Sequence, residues 1–225
     1  MKRKNNLYEQ ICKVENIIIA TNEVCKNTKN KRKTNKFKNY KCIYVSRIYN
    51  DINNRNYVVG PYNCFYIYEP KERKIVSQLM YDKVVNHLVA RYILMPAIIP
   101  KLLDQNFASR AGLGTSKALK YHYKYLKKCT IKYKEFYILK CDISKFFASI
   151  NQEILKKKVK KVIKDKEALK IVFDIIDSNE EGLGIRQYDF SNIGYLLFKR
   201  FRSFYKRKIK NQVLRSLSRW LVYIS

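Results

Sequence analysis

Apolar residues recur at helical spacing in three long segments of the sequence. The first runs from Leu7 to about Cys25, and the second from Asp82 to about Leu103, where Pro96 and Pro100 interrupt the pattern. The third, Asn151 to Ser178, is long enough for two helices. Because each segment gathers its apolar residues on one face, it predicts helices that pack against a core.

Between the first two helical segments, the pattern changes to that of extended chain. Gly60-Pro61 marks a turn, and aromatic residues recur within the segment from Cys64 to Tyr68. A second extended run covers Lys74 to Gln78 after a few charged residues. The pattern predicts a β-hairpin within Asn56 to Gln78. Its tip is expected to hold Lys71, Glu72, Arg73 and Lys74.

A single carboxylate ends the strongly β-favouring run in the middle of the chain. Phe136 to Ile150 reads FYILKCDISKFFASI, and Asp142 directly follows the apolar residues. A strand with an Asp at its tip can aim a metal ligand into a cleft, because the pleat fixes the direction of the side chain. A plainer alternative stays open here, in which Asp142 caps a helix that begins near Ser144.

The order of these segments predicts the fold class. Helix, hairpin, helix, strand and helices follow one another, which favours one α+β domain with helices packed on an antiparallel sheet. With 225 residues, of which 47% are hydrophobic, the chain can bury a sizeable core.

The charge of the chain indicates a polyanionic partner. Lys and Arg number 48 against 18 Asp and Glu, which gives a formal net charge of +30. Nucleic acid is the leading candidate, because Lys and Arg release counterions from phosphate backbones. The basic run Lys26 to Lys41 could contact phosphates or be a solvated loop or helix end. A membrane span is not expected, because the most apolar stretch, Leu88 to Leu103, contains Arg91 and Lys101 and falls short of about 20 residues.

Cysteine and histidine are arranged in no metal-binding pattern. The six Cys show no CxxC spacing, and only two His are present. We interpret the Cys as reduced thiols of a cytoplasmic protein. His87 lies within the second helical segment, where a lone His is more often a packing or capping residue than a ligand.

Two glycines precede the next predicted helix. Gly112 and Gly114 stand ahead of Thr115, and the helix is expected to begin at about Ser116. Glycines before a helix N-terminus can cradle a phosphate, but this spacing matches neither the Walker nor the dinucleotide-binding pattern. Taken alone, the motif predicts only a turn.

Three stretches together resemble the reverse transcriptases of bacteria, the group that spans retron, diversity-generating and group II intron enzymes. They are FYIYEPKERKIVSQLMYDKVVNHLV, FASRAGLGTSKAL and YILKCDISKFFASI, in the order and spacing of the family. The resemblance covers about Leu7 to Ile185. It implies an RNA-directed DNA polymerase whose residues 1–185 form the fingers and part of the palm of a right-hand polymerase.

The resemblance also implies roles for individual residues. Asp142 would bind two catalytic Mg²⁺ ions, assisted by the backbone carbonyl of Ile143. Phe147 would be the aromatic ring that rejects the 2′-hydroxyl of a ribonucleotide. Lys71 and Arg73 would hold the triphosphate of the incoming dNTP. Two metal ions in such a site activate the primer 3′-hydroxyl and stabilise the leaving pyrophosphate.

The glycine-containing stretch is implied to contact the nucleic-acid substrates. Its residues would bind an RNA template and a DNA or RNA primer. The positions that match the family block and carry this role are Arg110, Gly112, Gly114 and Thr115.

The sequence departs from the family after Ile185. The family places a second carboxylate cluster, Tyr-x-Asp-Asp, beside the first catalytic Asp, and this chain has none. Beyond Glu181 the only acidic residue is Asp189. The chain as it stands is therefore expected to be inactive as a polymerase. The alternative function is that of a non-catalytic, basic nucleic-acid-binding protein.

A shift of reading frame would explain the departure. Synonymous codons for Arg186 to Gly194, read one nucleotide later, can encode GNMTSAIL, which resembles the missing family block. We therefore expect residues 186–225 to form a basic C-terminal tail that is out of frame.

Overall fold

The chain is a mixed helix-and-strand protein that is mostly helical, with small antiparallel sheets of two strands. The structure is a computed structural model that describes residues 3–70, 72–102, 106–107, 110, 112–140, 149–178 and 221–224. The expected α+β class with an antiparallel sheet is confirmed at this coarse level. In the described residues no helix is both long and apolar enough to cross a bilayer.

Four helices form the N-terminal part, where the sequence predicted one. They are α1 (Tyr8–Ile11), α2 (Val14–Asn27), α3 (Lys31–Asn39) and α4 (Lys41–Asn53). The predicted helix from Leu7 to Cys25 is interrupted because Lys13 has an extended backbone, with ψ of 128°.

Helix α3 lies within the basic run for which a loop or a solvated helix end was expected. It begins after Asn30, whose side chain accepts a hydrogen bond from the Lys33 amide at 3.0 Å. Phe37 is only 4% exposed and stacks on Tyr44 with 4.2 Å between ring centroids. A single buried aromatic ring, together with the buried Thr34, therefore holds a helix whose other residues are polar and exposed.

The predicted hairpin is confirmed, and its tip is corrected. Strand β1 (Asn63–Ile67) pairs antiparallel with β2 (Arg73–Ser77). The backbone of Arg73 pairs with Ile67, and that of Lys74 with Tyr66. These two basic residues therefore begin β2 and do not belong to the tip, because pairing extends further along the ribbon than the charged sequence suggested.

The second apolar segment forms one nearly continuous rod through the core. Helix α5 (Met80–Val89) continues into a π-helical turn (Ala90–Leu94), then α6 (Met95–Ile98) and a 3₁₀ turn (Ile99–Lys101). Its buried residues include Val85, Leu88, Ile93, Leu94 and Ile98.

The remaining elements follow the predicted order. Helix α7 (Thr115–Lys132) leads to strand β3 (Tyr137–Lys140), and α8 (Gln152–Lys160) and α9 (Lys166–Asp177) come next. Strand β4 (Leu221–Ile224) pairs antiparallel with β3, with Tyr137 opposite Ile224 and Lys140 opposite Leu221. The end of the basic tail thus pairs with the strand that leads to Asp142.

The N-terminal segment is attached to the region between α8 and α9. Lys4 donates its amide to the carbonyl of Val162 at 3.0 Å and accepts from the Lys164 amide at 2.7 Å. Asp165 caps α9 through Ala168 and also accepts from the Leu7 and Tyr8 amides. One buried cluster contains residues of α1 to α6, α8 and α9.

Candidate functional site

The residues implied to hold metal and nucleotide lie mostly outside the described residues. Asp142, Ile143, Phe147 and Lys71 are among them, and so is the region of the alternative helix near Ser144. Strand β3 ends at Lys140, two positions before Asp142. The described chain resumes at Ser149, and the Asn151 side chain caps α8 by accepting from the Ile154 amide at 2.9 Å. The predicted strand before Asp142 is confirmed up to Lys140.

A buried carboxylate holds the turn that enters the hairpin. Asp82, in the first turn of α5, is 2% exposed. Its Oδ1 atom accepts a hydrogen bond from the Tyr57 hydroxyl at 3.0 Å and another from the Gly60 amide at 3.3 Å. Burial raises the pKa of Asp82, although both hydrogen bonds act in the opposite direction. Burial, followed by the neighbouring Asp82, raises the pKa of Tyr57 well above its ordinary value, so its hydroxyl stays a donor.

Gly60 lies at a close approach of Asp82 to this turn. A Cβ atom at position 60 would lie 2.8 Å from Asp82 Oδ2 and 3.3 Å from the Leu79 side chain. The sequence indicated Gly60 as a turn residue, but it indicated no partner for it. Asp82 is an acidic residue among the apolar positions of a helical pattern. This signal could have indicated a buried carboxylate.

A second polar network ties the hairpin to two helices. The Asn86 side chain donates to Gln78 Oε1 at 2.8 Å, and Gln78 Nε2 donates to the Tyr62 hydroxyl at 3.5 Å. The Tyr62 hydroxyl also lies 2.7 Å from Ser178 Oγ, next to the end of α9. Both ends of the hairpin are therefore fixed, one to α5 and the other to α9.

Beyond this fixed base, β1 is exposed along its whole length. Each of its five residues is solvent-exposed, and Tyr68, directly after it, is 70% exposed. Exposed aromatic rings on a two-stranded ribbon can contact the faces of nucleic-acid bases. The backbone of Arg73 at the start of β2 places this residue near the tip of the same ribbon.

The glycine turn has the geometry that the sequence predicted. Gly112 has a φ of +70°, which favours glycine, and the Leu113 amide donates to the carbonyl of Arg110 at 3.1 Å. Gly114 is the N-cap of α7, and its carbonyl accepts from the Ala118 amide at 2.9 Å. Among the described residues, nothing lies within 4 Å of a Cβ atom placed on either glycine.

This turn places the residues implied to bind template or primer next to one another at the start of α7. The helix starts at Thr115, one residue from the expected position. Arg110 donates from Nη1 to the carbonyl of Asn106 at 3.4 Å, so its side chain lies back along the chain before the turn. The amides at the start of α7 can donate to an anion, because the helix dipole adds to their donor character.

A charged cluster joins α2 to the rod through the core. Glu23 forms a hydrogen bond with His87 Nε2 at 2.8 Å and an ion pair with Arg91. The hydrogen bond from Arg91 contributes most to lowering the pKa of Glu23, and His87 acts in the same direction. The expectation that His87 has a packing role agrees with this contact between helices. Within the described ranges no group of three His, Cys, Asp or Glu side chains could hold a metal ion.

Comparison of the sequence with protein-family models and with curated proteins found no match in either case. The function is accordingly inferred from the residues of the chain and from the geometry of the hairpin, the glycine turn and β3.

Proposed function

We propose that the chain is a reverse transcriptase by descent, with residues 1–185 corresponding to the fingers and part of the palm. One observation supports the proposal: the described parts of the three family-like stretches have the local structure that the resemblance implies. A hairpin precedes the Asp-Lys pair that opens α5, a glycine turn precedes α7, and β3 runs toward Asp142. A cytoplasmic location belongs to the same proposal.

The residues present do not complete a site for two Mg²⁺ ions. The sequence offers Asp142 and the carbonyl of Ile143, and no carboxylate in the position of Tyr-x-Asp-Asp. Mg²⁺ gives up its water reluctantly and is held in such sites by carboxylates from more than one strand. We therefore propose that this chain does not polymerise in its present form.

A non-catalytic role in binding nucleic acid is the second candidate. Exposed cations favour it, since α3 and α7 carry exposed lysines and neither helix contains an acidic residue. Binding through such residues is largely independent of sequence and weakens steeply with salt.

Primer extension tests whether the chain polymerises, and template binding tests the property that both candidates share. Purified protein is incubated with a primed RNA template, the four dNTPs and Mg²⁺ at low salt, and the Asp142→Ala protein is measured beside it. No incorporation above the Asp142→Ala background is expected, while both proteins bind the template. Incorporation that disappears with Asp142→Ala would contradict the proposal that this chain is inactive, and failure of both proteins to bind the template would contradict both candidates.

A further inference from the structure

Five lysines form a continuous line along the exposed side of α7. Each lies three or four residues from another member of the set, so they share one face of the helix. All five are exposed. At 1.5 Å per residue the line is about 16 Å long. Its members are Lys117, Lys120, Lys124, Lys127 and Lys128. We call this set the α7 lysine line.

Nothing in the described part of the fold compensates this concentration of positive charge. Helix α7 contains no acidic residue, and the structure gives the lysine line no ion pair within the described ranges. Like charges three and four residues apart destabilise a helix. The lysine line thus costs stability in the free protein and becomes favourable when an anion lies along it.

In the other basic helices the cations either contact partners or are spread around the helix. On α8, Lys156 is 2.5 Å from Asp177 and 3.3 Å from Glu153, and Lys160 lies over the Phe173 ring. Helix α3 has five exposed cations, but they are spread around the helix because only Thr34 and Phe37 are buried. A line of cations fits a single anionic strand better than a dispersed set does.

An exposed aromatic ring lies beside the lysine line. Tyr123 is 71% exposed and follows Leu119 by one turn on the same side of α7. Lysines that follow a phosphate backbone, together with an aromatic ring on which a base can stack, are the elements of single-strand recognition. A duplex would offer phosphates but would hide its base faces from Tyr123.

We propose that the exposed side of α7 binds a single strand of RNA, with phosphates on the lysine line and a base stacked on Tyr123. The choice of RNA rests on the proposed function, whereas the choice of a single strand rests on the geometry of α7. A membrane surface fits less well, because Leu119, Tyr123 and Ile131 are too few and too dispersed to form a wide apolar face.

The test uses two variants that remove the same charge. The five lysines of the α7 line are replaced by Gln in one protein. The matched control replaces the five cations of α3, which are Lys31, Arg32, Lys33, Lys36 and Lys38. Binding of an unstructured oligouridine of about 12 nucleotides, within the usual site sizes, is titrated over a series of salt concentrations without Mg²⁺ or dNTPs. Failure of the polymerase proposal therefore cannot affect the result.

The α7 variant is expected to bind at least tenfold more weakly, and the slope of log K against log salt should fall by about 0.7 for each phosphate that is no longer neutralised. The α3 control should change both quantities much less. Tyr123→Ala should weaken binding about 5- to 150-fold, the range for one stacked base, while Tyr123→Phe retains binding. Equal effects of the two charge variants would overturn the proposal, because net charge alone would then explain the binding.

Three further measurements on the unmodified protein identify the bound partner and do not depend on the folding of a variant. In the unmodified protein, oligouridine should protect the α7 lysines from acetylation more than the α3 lysines, and equal protection would overturn the proposal. Oligodeoxythymidine should compete, because neither Lys nor Tyr reads the 2′-hydroxyl. Tighter binding of duplex RNA, or of anionic phosphatidylserine vesicles, through the same lysines would overturn it.

Discussion

The Asp165 carboxylate accepts a hydrogen bond from the Leu7 backbone amide at 2.8 Å, across 158 positions of the sequence. The same oxygen accepts from the Tyr8 amide at 2.9 Å, and the other oxygen accepts from Ala168 at the start of α9. One side chain thus caps α9 and fixes the beginning of α1.

Replacing Asp165 by Ala should destabilise the fold by about 1–3 kcal/mol, because α9 loses its cap and two amides lose their acceptor. Denaturant unfolding at neutral pH measures this difference. Asp174→Ala on the same helix removes an exposed carboxylate and is the control, with an expected effect within about 0.5 kcal/mol. Equal effects of the two substitutions would contradict the role of Asp165.

The contribution of Asp165 should also depend on pH. Burial alone would raise its pKa, but the amides of Tyr8, Ala168, Leu7 and Glu167 together lower it below its ordinary value. A lowered pKa means that the stabilisation is present above the unfolded value of about 3.9 and is lost as pH falls through the folded value. The stability difference between the protein and Asp165→Ala should therefore shrink on acidification, and a constant difference would contradict this mechanism.

Asp82 should behave in the opposite way. Its pKa is raised by burial, so its contribution is greatest at low pH and declines as pH rises through the folded value. Asp82→Asn, which keeps an acceptor without the charge, should be at least as stable as the protein at neutral pH. Asp82→Ala should destabilise the fold by about 1–3 kcal/mol because the Tyr57 hydroxyl loses its partner. Thermal unfolding of both variants distinguishes these outcomes.

Gly60→Ala tests the close approach to Asp82. The added Cβ would lie 2.8 Å from Oδ2, and a destabilisation of about 1–3 kcal/mol is expected. In the Asp82→Ala background the same substitution should cost less, because the opposing atom is gone. If the two substitutions have additive effects on the free energy of unfolding, the close approach of Asp82 is not the reason for glycine at position 60.

Phe37→Ala should remove the attachment of α3. Truncation of a buried Phe costs about 3–5 kcal/mol, and here it also separates the stacked pair with Tyr44. Denaturant unfolding and hydrogen exchange of the α3 amides measure the effect. Tyr40, which is 53% exposed, provides the control Tyr40→Ala, and protection of α3 that survives Phe37→Ala would contradict this prediction.

Asp142 can be tested in a chain restored to a complete palm. Asp142→Ala should then reduce primer extension by several orders of magnitude while template binding is retained, because the substitution removes a metal ligand but leaves most cations that bind phosphate in place. Asp174→Ala is a suitable control, since it removes an exposed carboxylate of α9 that the restored chain keeps. Retention of activity by Asp142→Ala would refute the assignment of the catalytic carboxylate.

Local sequence patterns predicted much of the fold. Apolar periodicity indicated α2, α5, α8 and α9, and the glycine pair indicated the start of α7 within one residue. The same patterns failed for α3, because a single buried aromatic residue, Phe37, produces no periodic signal in a charged run. Helix α4 was not predicted, since tyrosines and polar residues dilute its apolar face.

Contacts between distant segments could not be predicted in the same way. The Asp82–Gly60 approach and the β3–β4 register each join residues that no local pattern relates. The sequence did indicate Gly112 and Gly114 correctly as a turn before a helix. For Asp142 a chemical role came from resemblance, and the described strand β3 reaches only to Lys140.

The partner of the Leu7 amide has consequences during synthesis of the chain. Ribosomes add about 5–20 residues per second, so Asp165 follows Leu7 by about 8–30 s. During this interval α1 and the strand-like segment at Lys4 have no acceptor from the later part of the chain. The residues from Lys4 to Tyr8 therefore leave the ribosome well before their partners around Asp165, and until those partners are made they are available to chaperones and proteases.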